Sequence, residues 1–189
     1  MNQKAALHLL NEFVPVIGFF IAAQLFSFYT ATSILMVLTV AALSVGWYCE
    51  RRLPVLPIIS GLFVLVSGFI TVTYQAPDAL IFADSLYYFG MGLTIALGLV
   101  FRTNILKLIF ERVFAMTNVG WRILAIRWVI IFLLGGAINE VVRLYATPEV
   151  WVHFKVVKVI TVALFGLYQF TLSRKYRIPE ESNAWGLRH

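Results

Sequence analysis

Six apolar stretches of roughly twenty residues, divided by short charged or turn-forming punctuation, constrain this chain more than any other feature. They run Leu9–Phe28, Thr30–Tyr48, Pro54–Tyr74, Ser85–Phe101, Ile123–Tyr145 and Val150–Leu172. A helix rises about 1.5 Å per residue, so about twenty apolar residues cross a hydrocarbon core of ~30 Å. Composition points the same way. Of 189 residues 61% are hydrophobic and only 13% charged, with nine acids and fifteen bases. So few charges cannot cover a water-facing surface, which excludes a soluble single domain and a disordered chain. The lone Cys49 makes no internal disulfide, so a disulfide scaffold is excluded as well. The sequence therefore predicts an all-α, polytopic membrane helical bundle, a single transmembrane domain over residues 1–189.

The punctuation sets the topology. Glu50-Arg51-Arg52 stops the second stretch, and Pro54 opens the third in the first helical turn, where its missing N–H is not needed. Ala76-Pro77-Asp78 ends the third, and Ala146-Thr147-Pro148-Glu149 turns the fifth into the sixth. Almost nothing separates the first two, which predicts an antiparallel hairpin or a re-entrant first segment. The count is thus six transmembrane helices, or five plus a re-entrant one. Lys4 followed by an apolar run resembles a signal peptide, but Glu12 and Pro15 near its start favour a retained span. With six spans, Lys4, Arg51, Arg52, Arg102, Lys107, Arg112, Arg122 and the bases from Arg174 onward fall on one side, while Asp78, Asp84 and Glu149 fall on the other, with Arg143 at the end of the fifth span the one base there. The positive-inside rule makes the basic side, and both termini, cytoplasmic.

Residues 103–120 do not span. Ile105, Leu106, Ile109, Phe110, Val113 and Met116 share one helical side and Asn104, Lys107 and Glu111 the other, with Leu108 and Arg112 breaking the pattern. That predicts an amphipathic cytoplasmic connector helix, interfacial or packed on its neighbours, with Lys107 and Glu111 as an i,i+4 pair. Residues 173–189 read as a cytoplasmic tail, a solvated end being favoured over a mobile partner-binding strand. Ser60-Gly61, Ser67-Gly68 and Gly90-x-Gly92 read as close helix-packing positions. Trp47, Tyr48, Trp121 and Trp151 read as interfacial anchors.

The polar groups inside the spans cluster. Asn139-Glu140-x-x-Arg143 precedes the last turn, and Trp151, Lys155 and Lys158 follow it at i, i+4 and i+7, on one stripe. Counted from Pro148, Glu140 and Lys155 lie at similar depths, ~10–12 Å in, so a Glu140–Lys155 or Glu140–Lys158 pair is geometrically easy. Two readings stay open: a charge-neutralised knot locking two helices, which is favoured, and part of a proton or ion path. Glu12 and Gln24 are the other polar groups of the spans.

Enzyme chemistry has little footing. His8, His153 and His189 lie far apart, no metal-ligand spacing occurs, and no nucleophile elbow, phosphate loop or Cys pair is present. No cofactor is expected. The net charge of +6 is dispersed in twos and threes between spans, which speaks against nucleic acid as a partner.

Several strings together resemble one family. Glu12-Phe13-Val14-Pro15 with Phe19-Phe20 is similar to the acidic-x-x-Pro opening of the intracellular septation protein A family, also called the YciB inner-membrane protein family. Trp121, Arg127-Trp128 and Asn139-Glu140 resemble its Trp-rich helix ending in Asn-Glu. Trp151-Val152-x-Phe154-Lys155-Val156 resembles its most specific string. The tail from Tyr176 to Arg188 resembles that of alphaproteobacterial members. The connector matches loosely. The resemblance implies a multi-pass bacterial inner-membrane protein acting in envelope biogenesis, membrane integrity and septation. Its implied partners are membrane lipid and proteins of the division and elongation machinery, and it implies no catalytic residues. A small transporter or channel using the intramembrane Glu, Lys and Arg groups is the rival expectation. Oligomeric state is not encoded in these features.

Overall fold

The computed structural model describes residues 3–50 and 55–188, with side chains over 14–48 and 58–188. The expectations placed on Arg51, Arg52 and Pro54, and on the side chains of Lys4, His8, Glu12, Cys49 and His189, lie outside the described residues. Seven helices are present among the described residues: α1 (Gln3–Leu25), α2 (Phe28–Glu50), α3 (Val55–Tyr74), α4 (Asp78–Val100), α5 (Ile105–Phe110), α6 (Asn118–Tyr145) and α7 (Pro148–Lys175). Isolated β-bridges are the only further regular pairing among the described residues. Four described stretches are long and apolar enough to cross a membrane: Phe28–Tyr48, Asp78–Val100, Asn118–Tyr145 and Pro148–Lys175. Val14–Leu25 and Ile58–Tyr74 are apolar over a shorter described length. The fold is an all-helical membrane protein.

Contacts group the chain into two compact units: residues 1–84 with 139–156, and residues 85–138 with 157–189. In the first unit α1 packs on α2 and α2 on α3. Ser27 caps the start of α2, its hydroxyl accepting from the Thr30 N–H at 3.3 Å, so the α1–α2 hairpin needs only two linking residues. Small residues set the helix spacing. A Cβ on Gly61 would meet Leu43 at 2.7 Å, and one on Gly68 would meet Met36 at 2.8 Å. The core is an aromatic triangle of Phe19, Phe28 and Trp151 in edge contacts at 6.0–6.3 Å. Helix α3 ends with Gln75 left-handed (φ 53°) and the Ala76 N–H on the Thr71 carbonyl. The Thr71 hydroxyl, fully buried, then accepts from the Leu80 N–H at 3.1 Å, satisfying a donor in the first turn of α4.

The second unit is built on Ile95, Leu106, Met116, Trp121, Leu124, Ala125 and Leu172. Gly92 meets Leu133 and Gly136 meets Phe89 at close range, whereas Gly90 faces open space and is not a packing position. Helix α4 ends at a left-handed Arg102 (φ 58°), the Thr103 and Arg102 N–H groups closing on Gly98 and Leu99 carbonyls.

Two expectations fail in this unit. The connector is not a helix over 103–120: α5 stops after six residues at Phe110. Beyond it Ala115 donates to the Gly186 carbonyl and accepts from the Ile178 N–H, each at 3.0 Å, and the Thr117 N–H reaches the Tyr176 carbonyl at 2.9 Å. These backbone groups find partners across the chain instead of four residues back, where Leu108 and Arg112 interrupt the apolar side. By the same bonds the tail is not a solvated end but a docked strap. Asn183 folds it into a tight turn, its side-chain oxygen accepting from Trp185 and Leu187 N–H groups at 2.9 and 3.2 Å. Gly186 (φ 77°) completes the turn, and a Cβ there would lie 2.7 Å from the Ser173 carbonyl oxygen. Lys107 pairs not with Glu111 but with Asn118, at 2.9 Å, although Glu111 caps α5 one turn away with its N–H on the Lys107 carbonyl.

Candidate functional site

Asp84, Asn139, Glu140, Arg143 and Lys155 gather at one end of the first unit, where α4 begins, α6 ends and α7 begins. Its centre is Asn139, wholly buried on α6. The Asn139 amide donates from Nδ2 to the Ile81 carbonyl of α4 at 3.0 Å, and its Oδ1 accepts from the indole Nε1 of Trp151 on α7 at 3.0 Å. One side chain thus ties three helices. Trp151 is also wholly buried, so its N–H has no water to turn to, and an unmet donor there would be expensive. Trp121 is buried too, in the second unit's core, while Trp47 and Tyr48 are exposed. Of the four expected anchors, Trp121 and Trp151 are therefore core residues.

Around Asn139 stand ion pairs centred on Arg143 and Lys155. Arg143 Nε donates to Glu140 Oε2 at 2.8 Å, and Arg143 lies 3.8 Å from Asp78 and over the Phe82 ring. Lys155 Nζ lies 3.2 Å from Asp84 Oδ1, with both side chains mostly buried, and sits 4.6 Å over the Trp151 ring. Of the two expected pairs, Glu140–Lys155 does not form, and Lys158 belongs to the second unit. Depth alone made them easy, but rotation about the helix axes decides: Glu140 turns to Arg143 on its own helix, and Lys155 turns to α4. Asp84 sits six residues into α4 and Lys155 seven into α7, ~9–10 Å along each axis, so their heads meet at one level. Oε1 of Glu140 is buried with no hydrogen-bond partner among the described residues.

Asp84 is the site residue that sequence reading missed. It falls outside a fourth span begun at Ser85, yet Pro77-Asp78 carries a helix-start signal that would have put Asp84 well inside α4. The other family-motif positions are placed as follows. Pro15 is buried inside α1, and Phe154 packs against the aromatic triangle. In the second unit Trp128 meets Phe165 edge-on at 5.2 Å, and Arg127 donates to Gln169, a buried polar partner that sequence reading also missed, at 3.2 Å. Lys158, 6% exposed, stands 4.3 Å over the Tyr88 ring. No three His, Cys, Asp or Glu side chains among the described residues come together as metal ligands. The site therefore offers hydrogen-bonded and ion-paired contacts within α6 and between α4, α6 and α7.

Comparison with known proteins follows the same lines. A family model described as intracellular septation protein A matches residues 7–179. The chain is 32% identical over 173 residues to the inner membrane-spanning protein YciB of Afipia carboxidovorans, covering 91% of this chain and 86% of that one. It is 31% identical over 177 residues to the protein of the same name from Brucella melitensis, covering 93% and 79%. The corresponding Bradyrhizobium protein is 28% identical over 169 residues, covering 89% and 84%. No solved structure matches the chain.

Proposed function

The chain belongs to the intracellular septation protein A family and is an inner membrane-spanning protein; from that premise we propose that it supports septation, envelope biogenesis and membrane integrity without catalysis, by contacts with membrane partners or lipid. In this reading it crosses the bilayer six times with both termini cytoplasmic, and its partners are membrane proteins of the division and elongation machinery. The observation that carries it is the tying of the intramembrane polar groups to one another: Asn139 joins Ile81 and Trp151, Asp84 meets Lys155, and Glu140 meets Arg143. Groups spent on one another are not poised to bind or move a substrate. The lipid-facing sides of α6 and α7, with Leu134, Val141, Leu164 and Leu167 exposed, offer broad apolar surface for neighbours.

Photo-crosslinkers placed at Val141 and Leu167 in cells, with neighbours identified by mass spectrometry, test this. Recovery of division or elongation membrane proteins supports it; recovery of none from either position contradicts it. One observation favours a second reading, a small transporter or channel: the buried, unmet Oε1 of Glu140. That reading requires flux across a reconstituted membrane.

A further inference from the structure

In the second unit a cavity of about 490 Å³ opens between α5, the first turn of α6 and the docked tail. Its walls carry two cations, Lys107 and Arg188, and two carboxylates, Glu111 and Glu181, with Asn118 and the buried Trp121 behind them. The charges are balanced but not used up. Arg188 meets Glu181 at 3.0 Å, and Lys107 is held by the neutral Asn118, while the exposed Glu111 carboxylate has no partner among the described residues. A full cation on α5 and a free carboxylate at its C-cap therefore stand one helical turn apart, at the mouth of one cavity.

We propose that this cavity seats the headgroup of a zwitterionic phospholipid bearing a primary ammonium, its phosphate met by Lys107 and Arg188 and its ammonium by Glu111 and Glu181. Three features select that chemistry. An anionic headgroup would face as many carboxylates as cations, so it gains little from this wall. A quaternary ammonium cannot donate to the two carboxylates, whereas a primary ammonium has three N–H donors for them. The ligand is a lipid rather than a soluble zwitterion because exposed apolar side chains flank the polar mouth. Leu108, Ile109, Phe110 and Val113 follow Lys107 on the connector, and Val119 follows Asn118 on α6. Asn118 is also where α6, a helix of spanning length, begins, which is the level of headgroups in a bilayer. The cavity itself is of a size usual for small-ligand sites. The proposal rests on the reading of the chain as a contact protein of the membrane only in taking a lipid as ligand.

Native mass spectrometry of the full chain in mild detergent, offered equimolar phosphatidylethanolamine, phosphatidylglycerol and phosphatidylcholine, tests the assignment. Phosphatidylethanolamine is expected to be retained over the other two. Glu111→Gln should weaken that retention about tenfold by removing one charge-assisted bond, and Glu111→Lys should turn the preference toward phosphatidylglycerol. Glu111 is exposed, so both variants should keep the wild-type helical circular dichroism. Equal retention of the three lipids by wild type, or an unchanged preference in Glu111→Gln, overturns the proposal. Displacement of the lipid by equimolar soluble phosphoethanolamine overturns the lipid as occupant. Crosslinking to membrane proteins at α6 and α7 is read separately, so failure of the headgroup site and failure of the proposed function are distinguishable.

Discussion

Replacing Asn139 is the sharpest perturbation the fold offers. Asn139→Ala removes the donor on the Ile81 carbonyl and the acceptor of the Trp151 indole N–H, both at 3.0 Å and both at wholly buried side chains. Side-chain hydrogen bonds inside membranes contribute about 0.6 kcal/mol on average and up to ~1.7. Two of them, with the indole left unmet and no water to take its place, come to about 2–3 kcal/mol. In a chain of this length that is a fall of roughly 5–10 °C in Tm. Thermal unfolding in mild detergent, followed by tryptophan fluorescence, reads it directly. Asn139→Leu separates volume from polarity, because it fills the space but still orphans Trp151, so it should lose nearly as much as Asn139→Ala. The double variant Asn139→Leu with Trp151→Phe should recover part of that loss, since both polar partners are then gone. Val141→Ala, at a half-exposed position on the same helix, should change Tm by no more than about 2 °C. An Asn139→Ala protein as stable as wild type, or an Asn139→Leu protein more stable, would refute the polar tie.

Other outcomes follow from neighbouring features. Glu140→Ala leaves Arg143 only Asp78 at 3.8 Å, so folded yield in detergent should fall, with a loss of about 1 kcal/mol given the partial exposure of the pair; a fully stable variant would show that Glu140 does not hold the helices. Gly186→Ala places a Cβ against the Ser173 carbonyl at φ 77° and should cost about 1–2 kcal/mol locally. Trypsin should then cleave the strap after Lys175 and Arg177 several-fold faster than in wild type. Single-tryptophan variants in brominated lipid should show Trp47 strongly quenched and Trp121 and Trp151 protected, following their exposures of 62%, 2% and 0%; equal quenching of all three would contradict the assignment of the latter two to cores.

The helices were legible because hydropathy and punctuation report how long an apolar run is and where it must end. The α1–α2 hairpin and the Pro148 turn came from that signal. Partner choice within the polar cluster was less legible, since depth along a helix can be counted but rotation about its axis cannot. Glu140 and Lys155 share a level, yet Lys155 meets Asp84, which lies outside a fourth span begun at Ser85, seven residues after α4 starts at Asp78. The connector and tail were misread for a different reason. Their order comes from backbone hydrogen bonds between residues 113–117 and 176–188, which leave no mark on side-chain periodicity. Trp121 and Trp151 were taken for anchors because tryptophan near a helix end is compatible with either an interface or a core; only burial tells them apart.

The buried polar groups of α4, α6 and α7 are held here to tie helices together, and flux through reconstituted protein tests that most directly. In proteoliposomes carrying a pH-sensitive dye and an imposed potential, wild-type protein should dissipate protons or ions no faster than empty liposomes, and Glu140→Gln should behave identically. Wild-type flux above that baseline, abolished by Glu140→Gln while the variant stays folded, would contradict the structural role and make the cluster a conduit.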